Sequence, residues 1–434
     1  MAIPSPTAAP PASRATGTAP TDYRPAFVAV TGLFFIWGFL TCLNDILIPH
    51  LKGVFDLDYV RAALVQFTFF GAYFLLALPS GWIIRRLGYK RGIVTGLVTA
   101  GIGALLFYPA AAVPSFPLFL LALFVLASGI TLLQVAANPY VTVLGAPETA
   151  SSRLTLTQAF NSLGTTVAPL VGSALILGAV TRAGGGDGAA ARLAEARAVQ
   201  VPYIGLAIAL FVVAGFMAMF KLPRISQIES ATGDTVVSDH LPTGRAWHRR
   251  HLALGVIGIF VYVGAEVSIG SFLVNFFGLP NVAGMDAERA ARYVSFYWGG
   301  AMVGRFIGSV LLRRVSPGKL LGTFAVGAAL LTALAAVSSG PLAMWAVIAV
   351  GLCNSIMFPT IFALAIDGLG PLTGEGSSLL VMAIVGGALI PVAVGALADG
   401  MGLQLSMLLP ALCYLYIVFY GYSGSRPRVA ERRI

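Results

Sequence analysis

Long apolar runs recur along this chain, separated by short polar breaks, and within each run the apolar positions are continuous rather than alternating. Twelve runs approach the ~20 residues that carry a helix across a bilayer. They lie at about 26–48, 61–83, 92–113, 117–140, 158–180, 201–222, 252–277, 293–312, 319–338, 341–366, 377–398 and 403–424. A membrane β-barrel would instead alternate apolar and polar positions in segments of about ten residues. Lipid offers no partner to an exposed N–H or C=O, so runs of this kind close their own hydrogen bonds as α-helices. The pattern predicts an all-α integral membrane protein with twelve transmembrane helices.

Composition agrees. Charged residues make up 10% of the chain and hydrophobic ones 58%, against ~25% charged in soluble domains. So little charge cannot clothe a water-facing surface. The net charge of +10 would suit nucleic acid, but its placement does not. Nineteen lysines and arginines fall in the tails and loops on one side of the expected spans, and seven on the other. The side rich in Lys and Arg is the cytoplasmic one, so both termini are expected inside.

The breaks divide the chain into an N-terminal six-helix bundle (26–222), a cytoplasmic linker (223–251) and a C-terminal six-helix bundle (252–424). Residues 1–25, rich in Pro, Ala, Thr and Ser, are expected to form a disordered cytoplasmic tail, and 425–434 a second tail. The first segment lacks the basic and short apolar regions of a cleaved signal peptide. The His248-Arg249-Arg250-His251 cluster is expected to be a solvated basic flank. The halves echo one another. Gln134 precedes Pro139 by five residues, and Asn354 precedes Pro359 by five. Gly164…Pro169…Gly172 is matched by Gly387…Pro391…Gly395. Parallel six-helix halves are a transporter architecture, with solute bound between them near mid-membrane.

Polar residues inside the spans carry the candidate chemistry. Asp45 sits in the first apolar run, where a charge costs at least ~2.5–3.5 kcal/mol and marks an ion or substrate path. Asn44, Thr41 and Trp37 precede it at helical spacing. Trp37 has two readings, stacking on a sugar ring or packing. Asp45 would carry a proton, or ligate sodium through oxygen if sodium is the coupling ion. Glu266 is the second intramembrane carboxylate and opens the second half as Asp45 opens the first. The two would divide cation coupling and solute binding between them. Gln134 with Asn138, and Gln158 with Asn161, Ser162 and Thr165, form stripes of amides and hydroxyls at three- and four-residue spacing. Such groups donate and accept, as a polyol ligand requires; the alternative is glue between helices. Glu266 could pair with Arg305, but Arg305 lies close to the inner end of its span and is expected to snorkel toward water. Cys42, Cys353 and Cys413 show no metal-like spacing and are expected to pack. There is no P-loop, no metal-spaced His pair and no Ser-His-Asp set. The chain is therefore not expected to be an enzyme, and an ion gradient is its expected energy source.

Several stretches resemble the fucose–galactose–hexuronate symporter family of the major facilitator superfamily. They are Trp37-Gly38, Leu43-Asn44-Asp45-Ile46-Leu47-Ile48-Pro49, Ala136-Ala137-Asn138-Pro139-Tyr140, Gln158-Ala159-Phe160-Asn161-Ser162-Leu163-Gly164, Phe358-Pro359-Thr360 and Gly376-Ser377-Ser378. The resemblance implies a monosaccharide symporter of the bacterial inner membrane, monomeric and without a cofactor. In it Asp45 is the proton-carrying aspartate, and Gln158 and Asn161 line the cavity. Where the L-fucose branch has a glutamate this chain has Gln134, and where that branch has a neutral amide it has Glu266. This looks like the glucose/galactose branch, some of whose relatives use sodium. The expected cargo is glucose, galactose or mannose, with N-acetylglucosamine or L-fucose as alternatives. A proton-driven drug exporter is the alternative of another class. Arg85 stands where the superfamily's inner-gate motif has an aspartate, so the usual charge pair of that gate is not expected.

Overall fold

The computed structural model describes residues 23–55, 59–113, 115–183, 200–223 and 246–426, with backbone alone for 43–55, 59–63 and 170–183. Most of the expected tails, the loop 181–200 and most of the linker 223–251 lie outside the described residues.

Every expected span is a helix. The first six are α1 (Arg24–Phe55), α2 (Tyr59–Leu87), α3 (Tyr89–Ala112), α4 (Phe116–Val143), α5 (Ala150–Ala183) and α6 (Gln200–Met219). Then come α7 (Arg250–Gly278), α8 (Ala287–Leu311) and α9 (Pro317–Val337). The last three expected spans are each divided: α10 (Gly340–Asn354) with α11 (Met357–Ile366), α12 (Thr373–Met382) with α13 (Gly386–Met401), and α14 (Leu403–Ser406) with α15 (Leu408–Phe419). Ten stretches of the described residues are long and apolar enough to cross a membrane. Large apolar side chains such as Leu75, Val212, Leu330 and Leu412 point outward, which suits a lipid-facing surface.

Helices α1–α6 pack on one another, as do α7–α15, and the two groups meet where α2 and α4 touch α12 and where α5 touches α8 and α11. Glycine sets the closest crossings. A Cβ on Gly164 would collide with the Phe35 carbonyl where α5 crosses α1, and one on Gly386 with the Phe260 carbonyl where α13 crosses α7. Without water to drive association, membrane helices gain from such backbone proximity. The two crossings occupy corresponding places in the two groups.

Proline shapes the polar interior. A proline inside a helix deprives the carbonyl four residues earlier of its N–H partner, and a buried carbonyl needs another donor. Pro139 releases the Val135 carbonyl, which accepts from Ser377 Oγ at 2.9 Å. Pro359 releases the Ser355 carbonyl, which accepts from Arg305 Nε at 3.2 Å. Pro169 releases the Thr165 carbonyl, and Cys42 Sγ lies 3.3 Å from it. Helix α4 runs on through its proline, whereas α10 gives way to α11 at Ser355 and Ile356.

His251 departs from the expected solvated flank. It is 3% exposed, with Nε2 3.0 Å from the Asp367 carbonyl. As the second residue of α7 it starts a helix that packs on α11 and α15, so its ring turns into that packing.

Candidate functional site

Glu266 on α7 and Arg305 on α8 form the charged centre of the described interior. Arg305 Nη2 lies 4.0 Å from Glu266 Oε1, and their side chains are 16% and 14% exposed. Arg305 Nε donates to the Ser355 carbonyl, and Nη1 donates to Ser162 Oγ on α5. One guanidinium thus spans the boundary between the helix groups. The expectation that Arg305 snorkels to water is overturned. The carbonyl released by Pro359 and the buried carboxylate of Glu266 offer it acceptors inside the protein, and a desolvated cation takes such partners.

Beside this pair runs the polar stripe of α5. Ser162 Oγ donates to the Gln158 carbonyl at 3.0 Å, and Thr165 Oγ1 to the Ser162 carbonyl at 2.8 Å. Asn161 Nδ2 donates to the Phe34 carbonyl of α1 at 2.9 Å. Gly38 permits that approach, since a Cβ there would strike Asn161. Gln158 is 9% exposed. These groups lie on one face of α5, with Ser162 against Arg305.

The remaining amides divide by helix group. Gln134 Nε2 donates to Tyr73 Oη at 2.8 Å. Its echo Asn354 donates through Nδ2 to Tyr297 Oη, also at 2.8 Å, and Tyr262 Oη donates to the Asn354 carbonyl at 3.0 Å. The sequence echo is therefore a spatial one: each amide holds a tyrosine on the neighbouring helix. Asn354 is fully buried, as is Asn138, neither of whose side-chain polar atoms has a hydrogen-bond partner among the described residues. Both lie inside helix packing. Trp37 is 8% exposed, tilts against Phe34 with centroids 5.2 Å apart, and lines an apolar pocket with Leu97, Leu126, Leu133 and Leu206. That placement supports its packing reading. Asn44 and Asp45 belong to α1, but their side chains lie outside the described residues.

The sequence offered a Glu266–Arg305 pairing, set below snorkelling, and gave the tyrosines 73, 262 and 297 no place in this interior. An intramembrane arginine facing an intramembrane glutamate was the available signal. The tyrosines gave none, because their hydroxyl partners are distant in sequence.

At the end carrying the α2–α3 junction the helix groups are closed on each other. Ser152 Oγ on α5 donates to the Ser309 carbonyl of α8 at 2.6 Å, and Arg313 Nε donates to Ser152 Oγ at 3.3 Å. At the matching place Gly81 of α2 lies so close to Ser378 that a Cβ would collide with its hydroxyl. Beside this seam is a cavity of about 820 Å³, lined by Arg85, Tyr89, Lys90, Arg91, Lys221 and Gly374 among others. Its cations and open mouth suit a basic vestibule better than a site for a neutral polyol. Among the described residues no cluster of three or more His, Cys, Asp or Glu is placed to hold a metal.

The family model described as Major Facilitator Superfamily matches residues 26–391. A protein of Brucella abortus described as a glucose/galactose transporter is 56% identical over 405 residues, 93% of this chain and 95% of that protein. The L-fucose-proton symporter of Escherichia coli is 34% identical over 411 residues, covering 92% and 93%. A crystal structure of the transporter FucP in the outward conformation superimposes with a TM-score of 0.82 at 33% identity, covering 92% of this chain and 98% of that one.

Proposed function

The chain belongs to the major facilitator superfamily and, within it, to the fucose–galactose–hexuronate symporter family, and on that premise we propose that it is a proton-coupled importer of glucose- and galactose-type hexoses. One observation carries the reading most: a carboxylate, a guanidinium and the hydroxyl stripe of α5 meet at the boundary of the two helix groups. A drug exporter would need an apolar, aromatic chamber there. A polyol needs donors and acceptors held in place, and these residues supply both. The name of the Brucella relative supports hexose, and that of the E. coli relative supports the proton over sodium.

In this reading twelve helices form two six-helix bundles, residues 26–222 and 252–424, joined by a cytoplasmic linker, in a bacterial inner membrane and as a monomer. Both termini are cytoplasmic, so the seam at Ser152, Ser309, Gly81 and Ser378 closes the inner side. Asp45 and Glu266 are the coupling carboxylates. Asn44, Gln134, Gln158, Asn161 and Glu266 serve the sugar, directly or through the groups they hold. Asn138 and Asn354 serve by fixing α4 and α10, and Trp37 by packing α1. The proton loads from outside, neutralises a buried carboxylate and lowers the cost of rocking the bundles around a filled site. The inner seam then parts and both cargoes leave.

The test is uptake of a panel of labelled hexoses into proteoliposomes under an imposed pH or sodium gradient. Glucose and galactose should accumulate uphill on the proton gradient. Asp45→Asn should abolish that accumulation while sparing sugar exchange at equal concentrations. Uphill uptake by Asp45→Asn at the wild-type level would remove Asp45 from the coupling, and a panel in which no hexose accumulates would end the hexose reading.

A further inference from the structure

The distance between Arg305 and Glu266 has a use that their charges alone do not explain. At 4.0 Å the pair is too far apart for a hydrogen bond, and Glu266 Oε1 has no hydrogen-bond partner among the described residues. A relaxed arginine–carboxylate pair closes to ~2.7–2.9 Å. Arg305 is prevented from closing because its other nitrogens are committed. Nε is fixed on the carbonyl that Pro359 released, and Nη1 is fixed on Ser162 across the bundle boundary. The guanidinium is a planar fork, so two anchored nitrogens fix the third. The separation is one that a single hydroxyl oxygen, entering beside the pair, can bridge. An oxygen set to one side of the line between them can lie ~2.8 Å from each, accepting from the guanidinium and sharing a hydrogen with the carboxyl. A hydroxyl does this whether Glu266 is ionised or protonated, since it both donates and accepts.

We infer that Arg305 is a sugar-binding residue, and that with Glu266 it forms a donor–acceptor clamp on one hydroxyl of the hexose. This rests on the hexose reading above and adds a residue to it. The clamp needs the proline break: Pro359 opens the Ser355 carbonyl, that carbonyl holds Arg305 back, and the held arginine leaves the gap. Ser162 gives the clamp its place at the bundle boundary, so a sugar held there touches a side chain already bonded to both bundles.

The experiment pairs protein variants with monodeoxy sugars. Binding of glucose and of each singly deoxygenated glucose is measured by titration calorimetry on wild-type protein and on Arg305→Gln, Glu266→Gln and Arg305→Gln/Glu266→Gln. The double variant removes both charges together, so it stays testable if a lone buried charge destabilises a single variant. Arg305→Gln should weaken glucose by ~10-fold or more, the scale of a lost hydrogen bond to a charged group. One deoxy sugar, lacking the clamped hydroxyl, should already bind wild type weakly and lose no more than ~2-fold further in any variant, because it never made that bond. Arg305→Lys, which keeps the charge and loses the fork, should behave as Arg305→Gln. Equal losses for all the deoxy sugars, or no loss for glucose, would overturn the clamp, since a structural role lowers every ligand alike. Failure of wild type to bind any hexose would instead strike the hexose reading.

Discussion

In the first bundle Pro139 leaves the Val135 carbonyl without its helical partner and a serine from the other bundle takes it; in the second Pro359 leaves the Ser355 carbonyl and Arg305 takes it. The backbone defect is the same and the repair differs. A serine hydroxyl is neutral and settles one carbonyl. A guanidinium brings a charge into the membrane interior and must find an anion, here Glu266. The helices respond in kind, with α4 continuous through its proline and α10 interrupted. The amides show the same division. Gln134 and Asn354 each hold a tyrosine at 2.8 Å, yet only Asn354 sits beside a charged pair. The matched geometry repeats across the two helix groups, and of the two proline repairs only the second brings in a charged side chain.

The comparison breaks most sharply at the glycine crossings, which the bundles share. Gly386→Val and Gly164→Val each push a side chain into a backbone carbonyl, of Phe260 and Phe35 respectively. Both should abolish monodisperse, folded protein by size-exclusion chromatography in detergent. If one is tolerated, the two crossings are not equivalent.

The repairs themselves should differ in size. Arg305→Met strands the Glu266 carboxyl and the Ser355 carbonyl, and loss of one member of a buried pair costs ~3–5 kcal/mol. Ser377→Ala strands only the Val135 carbonyl and should cost ~1–2 kcal/mol. Thermal unfolding in detergent ranks the two, and equal losses would mean that the charge adds nothing to the repair. Ser377 also joins the helix groups, so Ser377→Ala should modestly raise labelling of cysteines introduced along the seam at Ser152, Ser309 and Ser378. Unchanged labelling would confine Ser377 to a stabilising role.

How much of this was legible beforehand differs by residue. Apolar run length located the long helices of the described residues, because lipid leaves the backbone no other partner than itself. The echo of Gln134 and Pro139 in Asn354 and Pro359 identified the repeat, and the tyrosine partners give that echo a physical meaning. Glu266 stood out as a charge among apolar neighbours. Arg305 was misjudged because its place near a span end outweighed its pairing with Glu266, whose nearness only packing reveals. His251 was misjudged for the same reason.

Sequence alone determined that this chain lives in a bilayer, where its helices run, which family it belongs to and which few polar residues have no business in oil. These follow from local composition, since each helix must satisfy its own backbone and each buried polar atom is costly wherever it lands. Tertiary structure alone decided that Arg305 faces Glu266 at 4.0 Å, that proline carbonyls are served by chain segments far away, and that Asn138, Asn354 and Trp37 turn into packing. Those outcomes depend on which helix faces crowd together, and partners 50 and 242 residues apart meet only when the helices pack.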